Sequence, residues 1–435
     1  MLLFHLTAVV ILAGTHVLSA SAKIVVAHFM AQARCLSISV SNAYSYSEQD
    51  WLNDINTARG IGIDGFALNT AMADYEVDRV ATAFVAAQSV NFKLFFSFDM
   101  SYSWAASDIV NLVAAHASSP AMLTYNGGVL VSTYSGESYG NAFWAGIKTS
   151  LANEGIKVTL APAFTTYRNP SLASSLLSTF PSIDGFFNWW SWPDDVDTTL
   201  TTDTDIAYRN AIKGSRSGPY IMSVSPWQFK DIDANNAWVE LSDTLWMYRW
   251  QQAINDVQPD IVEIVTWNDY AESHYIGDIN PNVDLGTAAP NYVNGFSHAG
   301  WRIIAQYYIS WYKTGSAPAV TDDTVVFWYR AHPKAVTCSG GWAPRMASFP
   351  ADAVFALALL SSPATVSLDI GSTHAQWNAP AGASIGSVNF PMEDAQIPYV
   401  QIIRNGVQEK YMYGSVYVTQ SCSWYNFNPF VGVVQ

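Results

Sequence analysis

Eight short apolar runs, each followed by a stretch of helical periodicity, constrain this chain more than any other feature of it. They are Ile24–Phe29, Gly65–Leu68, Leu94–Phe98, Val129–Thr133, Val158–Pro162, Gly185–Trp189, Tyr220–Ser223 and Ile261–Trp267, and they begin about 27 to 41 residues apart. Short unalternating runs of this kind read as strands buried on both faces, and parallel strands need crossovers of a dozen or more residues, usually helices. The intervals suit a (β/α)8 TIM-type barrel better than an open doubly wound sheet.

Between the runs, Trp51, Ile55 and Ala58 share one helical face, as do Val77, Val80 and Phe84, and Ile109, Leu112 and Val113. Ser47 with Asp50 reads as a capping box at the first of these helices. Further helices are expected over 141–150, 170–180, 203–212, 244–257 and 301–311. The pattern breaks at Lys313-Thr314-Gly315-Ser316-Ala317-Pro318-Ala319, which reads as part of a linker over 313–320. Beyond it, Val325–Tyr329, Ala353–Leu360, Thr365–Ile370, Gly386–Pro391 and Tyr399–Arg404 are short strands without helices between them, so residues 321–435 are expected to form a β-sandwich after a barrel over 23–312.

The first 22 residues hold an apolar core, Leu6–Ala13, and end in Ala20-Ser21-Ala22 before Lys23. They read as a secretory signal peptide cut after Ala22, with Ala20 as the neighbouring alternative. No later run approaches the ~20 apolar residues of a transmembrane helix, so a secreted protein without membrane attachment is expected. In that setting Cys338 and Cys422 are the expected disulfide, leaving Cys35 unpaired. A net charge of −15 with only 20 Lys and Arg lacks the basic footprint of a nucleic-acid binder. No Gly-rich phosphate loop follows the first strand, and no cofactor is expected. The 17 Trp suit sugar-stacking surfaces and equally suit a large aromatic core.

Chemistry on such a barrel sits at the C-terminal strand ends. Those ends carry His28, Asn69, Asp99, Thr133 with Tyr134, Pro162, Trp189 with Trp190, Ser225 with Trp227, and Asn268, Asp269 and Glu272. Two carboxylates directly after a strand meet the needs of glycoside hydrolysis, in which one protonates the leaving oxygen and the other, ionised, activates water or attacks the sugar. Asp99 is a third acid facing the same mouth. The ordinary alternatives are that an acid after a strand caps the next helix, that His28 is a buried hydrogen-bonded histidine, and that Trp189, Trp190 and Trp192 are core. Asp269, Glu272 and His274 lack a second histidine at ligand spacing, so no metal is expected.

At these positions the sequence closely resembles the fungal α-1,3-glucanases, or mutanases, of glycoside hydrolase family 71. The matching stretches are Val26-Ala27-His28-Phe29-Met30, Ile63-Asp64-Gly65-Phe66-Ala67-Leu68-Asn69, Phe92 through Asp99, Val224-Ser225-Pro226-Trp227, and Thr266-Trp267-Asn268-Asp269-Tyr270 through Glu272-Ser273-His274-Tyr275-Ile276-Gly277. The resemblance implies inverting hydrolysis of α-1,3-glucan, with Glu272 as general acid and Asp269 as base, or the reverse, and Asp99 as an essential supporting acid. It also implies sugar contacts from His28, Asn69, Tyr134, Trp189, Trp192, Trp227, Trp267, Asn268, Tyr270 and His274. A monomer is expected. The competing reading is a glucan-binding or wall protein with an impaired site, and retention of the three acids argues against it.

Three departures stand out. Ala271 replaces a glycine usual among relatives, which predicts strain if the position has φ > 0. Gln228 stands where relatives carry an aromatic. Residues 31–41, with Cys35 among them, replace a short turn and fit neither neighbouring element; they read as a misplaced gene-model boundary or, if genuine, as an insert that narrows the cleft.

Overall fold

The computed structural model describes residues 23–31 and 42–435. The expected signal peptide over 1–22 and insert residues 32–41, including Cys35, lie outside the described residues.

All eight predicted runs are strands: β1 Ile24–Met30, β2 Gly65–Thr70, β3 Lys93–Asp99, β4 Gly128–Tyr134, β5 Val158–Leu160, β6 Phe186–Asn188, β7 Tyr220–Val224 and β8 Ile261–Ile264. Parallel ladders join β1 to β2, β2 to β3, β3 to β4 and β4 to β5, then β6 to β7, β7 to β8 and β8 back to β1. The result is a curled, mixed α/β sheet. Between β5 and β6 three backbone bonds cross, from the N–H groups of Asp184 and Gly185 to Leu160 O and from Phe187 N–H to Pro162 O, at 2.9–3.0 Å.

Strand alternation sorts the side chains into two populations. Residues such as Val25, Ala27, Phe66, Leu68, Phe96, Val131, Met222 and Val262 pack with the surrounding helices. Their neighbours Val26, Ala67, Phe95, Leu130, Ala161, Phe187, Ile221 and Ile261 form a separate cluster on the other face of the sheet. Two residues further along on that second face come His28, Asn69, Ser97, Ser132, Ser223 and Glu263, all buried. A polar layer therefore lies between the apolar interior and the C-terminal strand ends.

The covering helices follow the sequence with small shifts. Glu48–Gly60 starts from the predicted box, with Ser47 accepting from Asp50 N–H and Asp50 reciprocating, and buries Trp51, Asp54, Ile55 and Ala58. In helix Asp74–Ser89, Val77 is 55% exposed while Val80 and Phe84 are buried, so the apolar stripe is narrower than expected. The segment 244–257 is an α-helix only over Leu245–Gln251, continuing as a π-turn over Gln252–Val257.

The linker is shorter than predicted, because helix Ala299–Thr314 takes its first two residues and Gly315 ends that helix at φ 79°. The C-terminal strands are β9 Thr324–Tyr329, β10 Ala353–Leu360, β11 Ala364–Ile370, β12 Thr373–Ala379, β13 Gly382–Asn389, β14 Tyr399–Arg404, β15 Val407–Tyr413 and β16 Phe430–Val434. They form two antiparallel sheets, ordered β13-β10-β9-β16 and β12-β11-β14-β15. Val325, Phe327 and Tyr329 share a core with Val366, Leu368, Val400 and Ile402 of the second sheet. Val326 and Trp328, on the opposite face of β9, belong to the cluster that includes Ile304 and Tyr308 of the preceding helix. β9 and β10 are thus buried on both faces, which is why they read as unbroken apolar runs. β12, β15 and β16 were not expected; β12 and β15 alternate exposed polar residues with few apolar ones.

Candidate active site

Past β8 the chain folds back on itself through side-chain bonds. Thr266 Oγ1 accepts from Asp269 N–H at 2.8 Å, and Asp269 Oδ1 accepts from Glu272 N–H at 3.2 Å, capping the 3-10 turn Tyr270–Glu272. Ser273 then adopts φ 61°, and Thr266 N–H bonds His274 O at 3.0 Å. This brings the sharpest predicted residues together: one oxygen each of Asp269 and Glu272 and one ring nitrogen of His274 lie within 4.8 Å of one another. The positive φ falls at Ser273, so the strain predicted at Ala271 does not arise.

The other wall comes from a hairpin that was not anticipated, Phe229–Asp233 with Asn236–Val239. Lys230 Nζ sits 2.9 Å from Glu272 Oε1, Gln228 Nε2 donates to Oε2 at 3.0 Å, and His274 Nε2 lies 3.3 Å from the same oxygen. His274 is itself held by Thr266 Oγ1 at 3.1 Å and by the Trp192 ring, 5.2 Å away. Gln228 therefore touches the candidate acid directly. The turn residues Asp233 to Asn236 between polar and apolar alternation were the signal for this hairpin.

Around the remaining strand ends, Asp99 is 5% exposed and accepts from Ser101 N–H at 3.0 Å and Ser101 Oγ at 2.6 Å. Tyr134 is its register partner on β4. Tyr134, Trp189 and His28 form an edge-to-face series, with ring centroids 5.0 Å and 4.8 Å apart. Sequence reasoning missed Glu76, whose Oε2 accepts from Ala71 N–H at 2.6 Å. Burial, with the charge of Asp99 adding, pushes its carboxyl up to about 7. It also missed Glu263, which bonds His28 Nδ1 at 2.7 Å with both side chains fully buried. Burial raises the Glu263 carboxyl and the bond to His28 opposes that rise.

Four predicted sugar contacts face elsewhere. Trp267 is fully buried, its ring 5.3 Å from that of Phe66. Asn268 spends its amide on Met30, accepting from N–H at 2.7 Å and donating to O at 3.1 Å. Tyr270 donates to Asp278 O at 2.8 Å, and Trp227 donates to Phe427 O at 2.9 Å beneath Trp301. Trp267, Asn268 and Tyr270 brace the loop that carries Asp269 and Glu272, so the motif around the candidate acids is partly scaffold. Asn69 is buried with Oδ1 lacking a protein partner, and Trp192 donates to Trp227 O at 2.9 Å.

The convergence of Asp269, Glu272 and His274 has the donor chemistry of a divalent-cation site. Lys230 already supplies a positive charge to Glu272 there, and the set contains a single histidine. Cys338 and Cys422 form the predicted disulfide.

A family model described as Glycosyl hydrolase family 71 matches residues 21–435. Glucan endo-1,3-alpha-glucosidase agn1 of Schizosaccharomyces pombe is 36% identical over 95% of this chain and 95% of its own. A mutanase of Penicillium rubens is 34% identical over 94% of this chain and 88% of its own. Among solved structures, the family 99 endo-alpha-mannosidase of Bacteroides thetaiotaomicron aligns with a TM-score of 0.50 at 13% identity, covering 68% of this chain and 98% of its own, a likeness of fold.

Proposed function

Because the chain belongs to glycosyl hydrolase family 71, we propose that it hydrolyses α-1,3-glucosidic bonds of α-1,3-glucan, with Asp269 and Glu272 as the working carboxylates. The observation that carries the reading is the meeting of these two acids at one strand end, against Lys230, Gln228 and His274. The names of the two relatives supply the linkage. Asp99 acts as the supporting acid, and His28, Asn69, Tyr134, Trp189, Trp192 and His274 line or steady the sugar site.

Inversion through this pair needs ~6.5–9.5 Å between the carboxyl groups so that a water fits. The nearest atoms here lie within 4.8 Å, closer than that spacing, with Glu272 drawn toward Lys230 and His274. Two donors on Glu272 also favour its ionised form, the wrong state for a general acid. In our reading the leaving oxygen of the bound glucan displaces Lys230 from Glu272, which both opens the gap and lets Glu272 carry a proton, while Asp269 activates the water. Proton NMR of the nascent product reads the outcome: a β-anomer is expected, and an α-anomer overturns inversion.

The three backbone bonds between β5 and β6 support a closed (β/α)8 barrel. The core shared by the two C-terminal sheets supports a β-sandwich. The apolar leader and the Cys338–Cys422 disulfide support action outside the cell, on an extracellular or wall glucan. Among the described residues no helix is long and apolar enough to cross a membrane.

The test is reducing-end release from insoluble α-1,3-glucan by the purified protein, beside Asp269→Asn, Glu272→Gln and a chain lacking residues 31–41. Release lost in both acid variants supports the reading. Glucan retention without release, in the full chain and the deletion alike, replaces it with a binding protein.

A further inference from the structure

A segment of the C-terminal region joins the unpredicted hairpin through a single parallel bridge. Arg345 N–H donates to Ala237 O at 3.0 Å, and Val239 N–H donates to Arg345 O at 3.1 Å. The register pairs Lys230 with Trp238, and Trp238 bridges to Arg345. Side chains directly opposite across strands share a face, so Lys230, Trp238 and Arg345 form one row. Lys230 Nζ lies 4.9 Å from the centre of the Trp238 ring while it touches Glu272, and the Arg345 guanidinium lies 5.9 Å from that ring on its way to Asp195, 3.2 Å away. The row therefore runs from the candidate acid, across a half-buried indole, to the loop that follows Trp189–Trp192.

The opposite face anchors the bridging segment. Asp231, fully buried, accepts from Trp342 N–H at 3.1 Å and 3.3 Å. Gly341 makes the approach possible: its φ is 78°, and an added β-carbon would lie 2.4 Å from Asp231 Oδ2. The Cys338–Cys422 disulfide and the Trp342–Trp424 ring contact at 6.1 Å tie down the rest of the segment.

We propose that Trp238 is a sugar-binding platform in the subsite adjoining Glu272, and that segment 342–345 of the C-terminal region completes this wall of the cleft. The occupant is a neutral glucan chain, because both cations of the row, each over the Trp238 ring, are already paired with carboxylates, so the row offers a half-buried indole and hydrogen-bond donors without excess charge. The proposal rests on the glucanase reading and extends it to a residue outside the motif and to a role for the C-terminal region.

The experiment compares Trp238→Leu with Trp238→Phe on α-1,3-gluco-oligosaccharides of increasing length, with melting temperature as a control. Leucine keeps bulk but not the ring face, so kcat/KM on the longest chains falls roughly tenfold and the gain from lengthening the chain disappears. Phenylalanine stays within about threefold of the wild type. A Trp238→Leu enzyme that matches the wild type at every length overturns the proposal. If leucine lowers the melting temperature, the reading passes to Glu272→Gln with native Trp238: bound oligosaccharide should protect Trp238 from N-bromosuccinimide oxidation, located by peptide mass, and unprotected oxidation overturns it. A wild type inactive on α-1,3-glucan sinks the glucanase reading; an active one indifferent to Trp238→Leu sinks only the subsite.

Discussion

Glu263 and Glu272 leave the same stretch of chain and meet opposite fates. Glu263 lies on β8 in the polar layer, fully buried, bonded to a fully buried His28. Glu272 follows the strand end, with its side chain 21% exposed among Lys230, Gln228 and His274. A carboxyl that no substrate reaches can only hold structure. One at the mouth, offered donors that substrate can replace, can exchange protons. The difference teaches that position along a strand of the parallel sheet, more than residue type, divides scaffold from chemistry.

The comparison breaks most visibly at Glu272. Glu272→Gln should cut the rate of glucan hydrolysis by about 10²–10⁴-fold, the range for a lost acid–base group, with an unchanged melting temperature. A large loss of stability instead would make Glu272 structural. Glu263→Ala should do the reverse, costing about 3–5 kcal/mol in urea unfolding by stranding a buried partner; a cost below 1 kcal/mol would erase the contrast. Lys230→Met removes the charge that favours ionised Glu272, so the pH–rate limb that reports this carboxyl moves to higher pH. Movement of the basic limb marks Glu272 as the acid, and movement of the acidic limb marks it as the base.

Interior carboxyls also leave a mark on stability. Burial holds Asp54, Glu76, Asp231 and Glu240 up at about 7 and Asp243 at about 6, against ~4 in an unfolded chain. The folded state binds more protons over that window, so their contribution is complete below about pH 4 and lost as pH rises through 7. His298, pushed down to about 3 by burial, opposes them: its contribution is present above about pH 6.5 and lost as pH falls toward 3. Burial also lowers His116 and His332, so three imidazoles oppose the five carboxyls; the melting temperature should be higher at pH 5 than at pH 8, and Glu240→Gln should flatten the slope. The smallest effect expected is that of EDTA on the rate, which is none, because Lys230 provides the cation at Glu272; a rate restored only by added divalent metal would reassign Asp269, Glu272 and His274 as ligands.

Much of this was legible in the sequence. The eight strands, the capping box at Ser47, the meeting of Asp269 with Glu272 and the Cys338–Cys422 bridge are local or strongly patterned features. What escaped has long-range causes. Glu263 sits inside an apolar run and gave no sign that His28, 235 residues away in the chain, would meet it from the adjacent strand β1. Trp267, Asn268 and Tyr270 share a motif with the acids, and only their contacts with Phe66, Met30 and Asp278 show that they hold the loop.

The sequence by itself determined the alternation of strand and helix, the family, and the pair of acids, because hydrophobic periodicity and short motifs are written in neighbouring residues. Tertiary structure alone decided which carboxyl is buried, which lysine faces Glu272, and that Arg345 of the C-terminal region pairs with Trp238 of the hairpin. Those choices depend on burial and on contacts between segments far apart in the chain, and no local pattern encodes the distance between them.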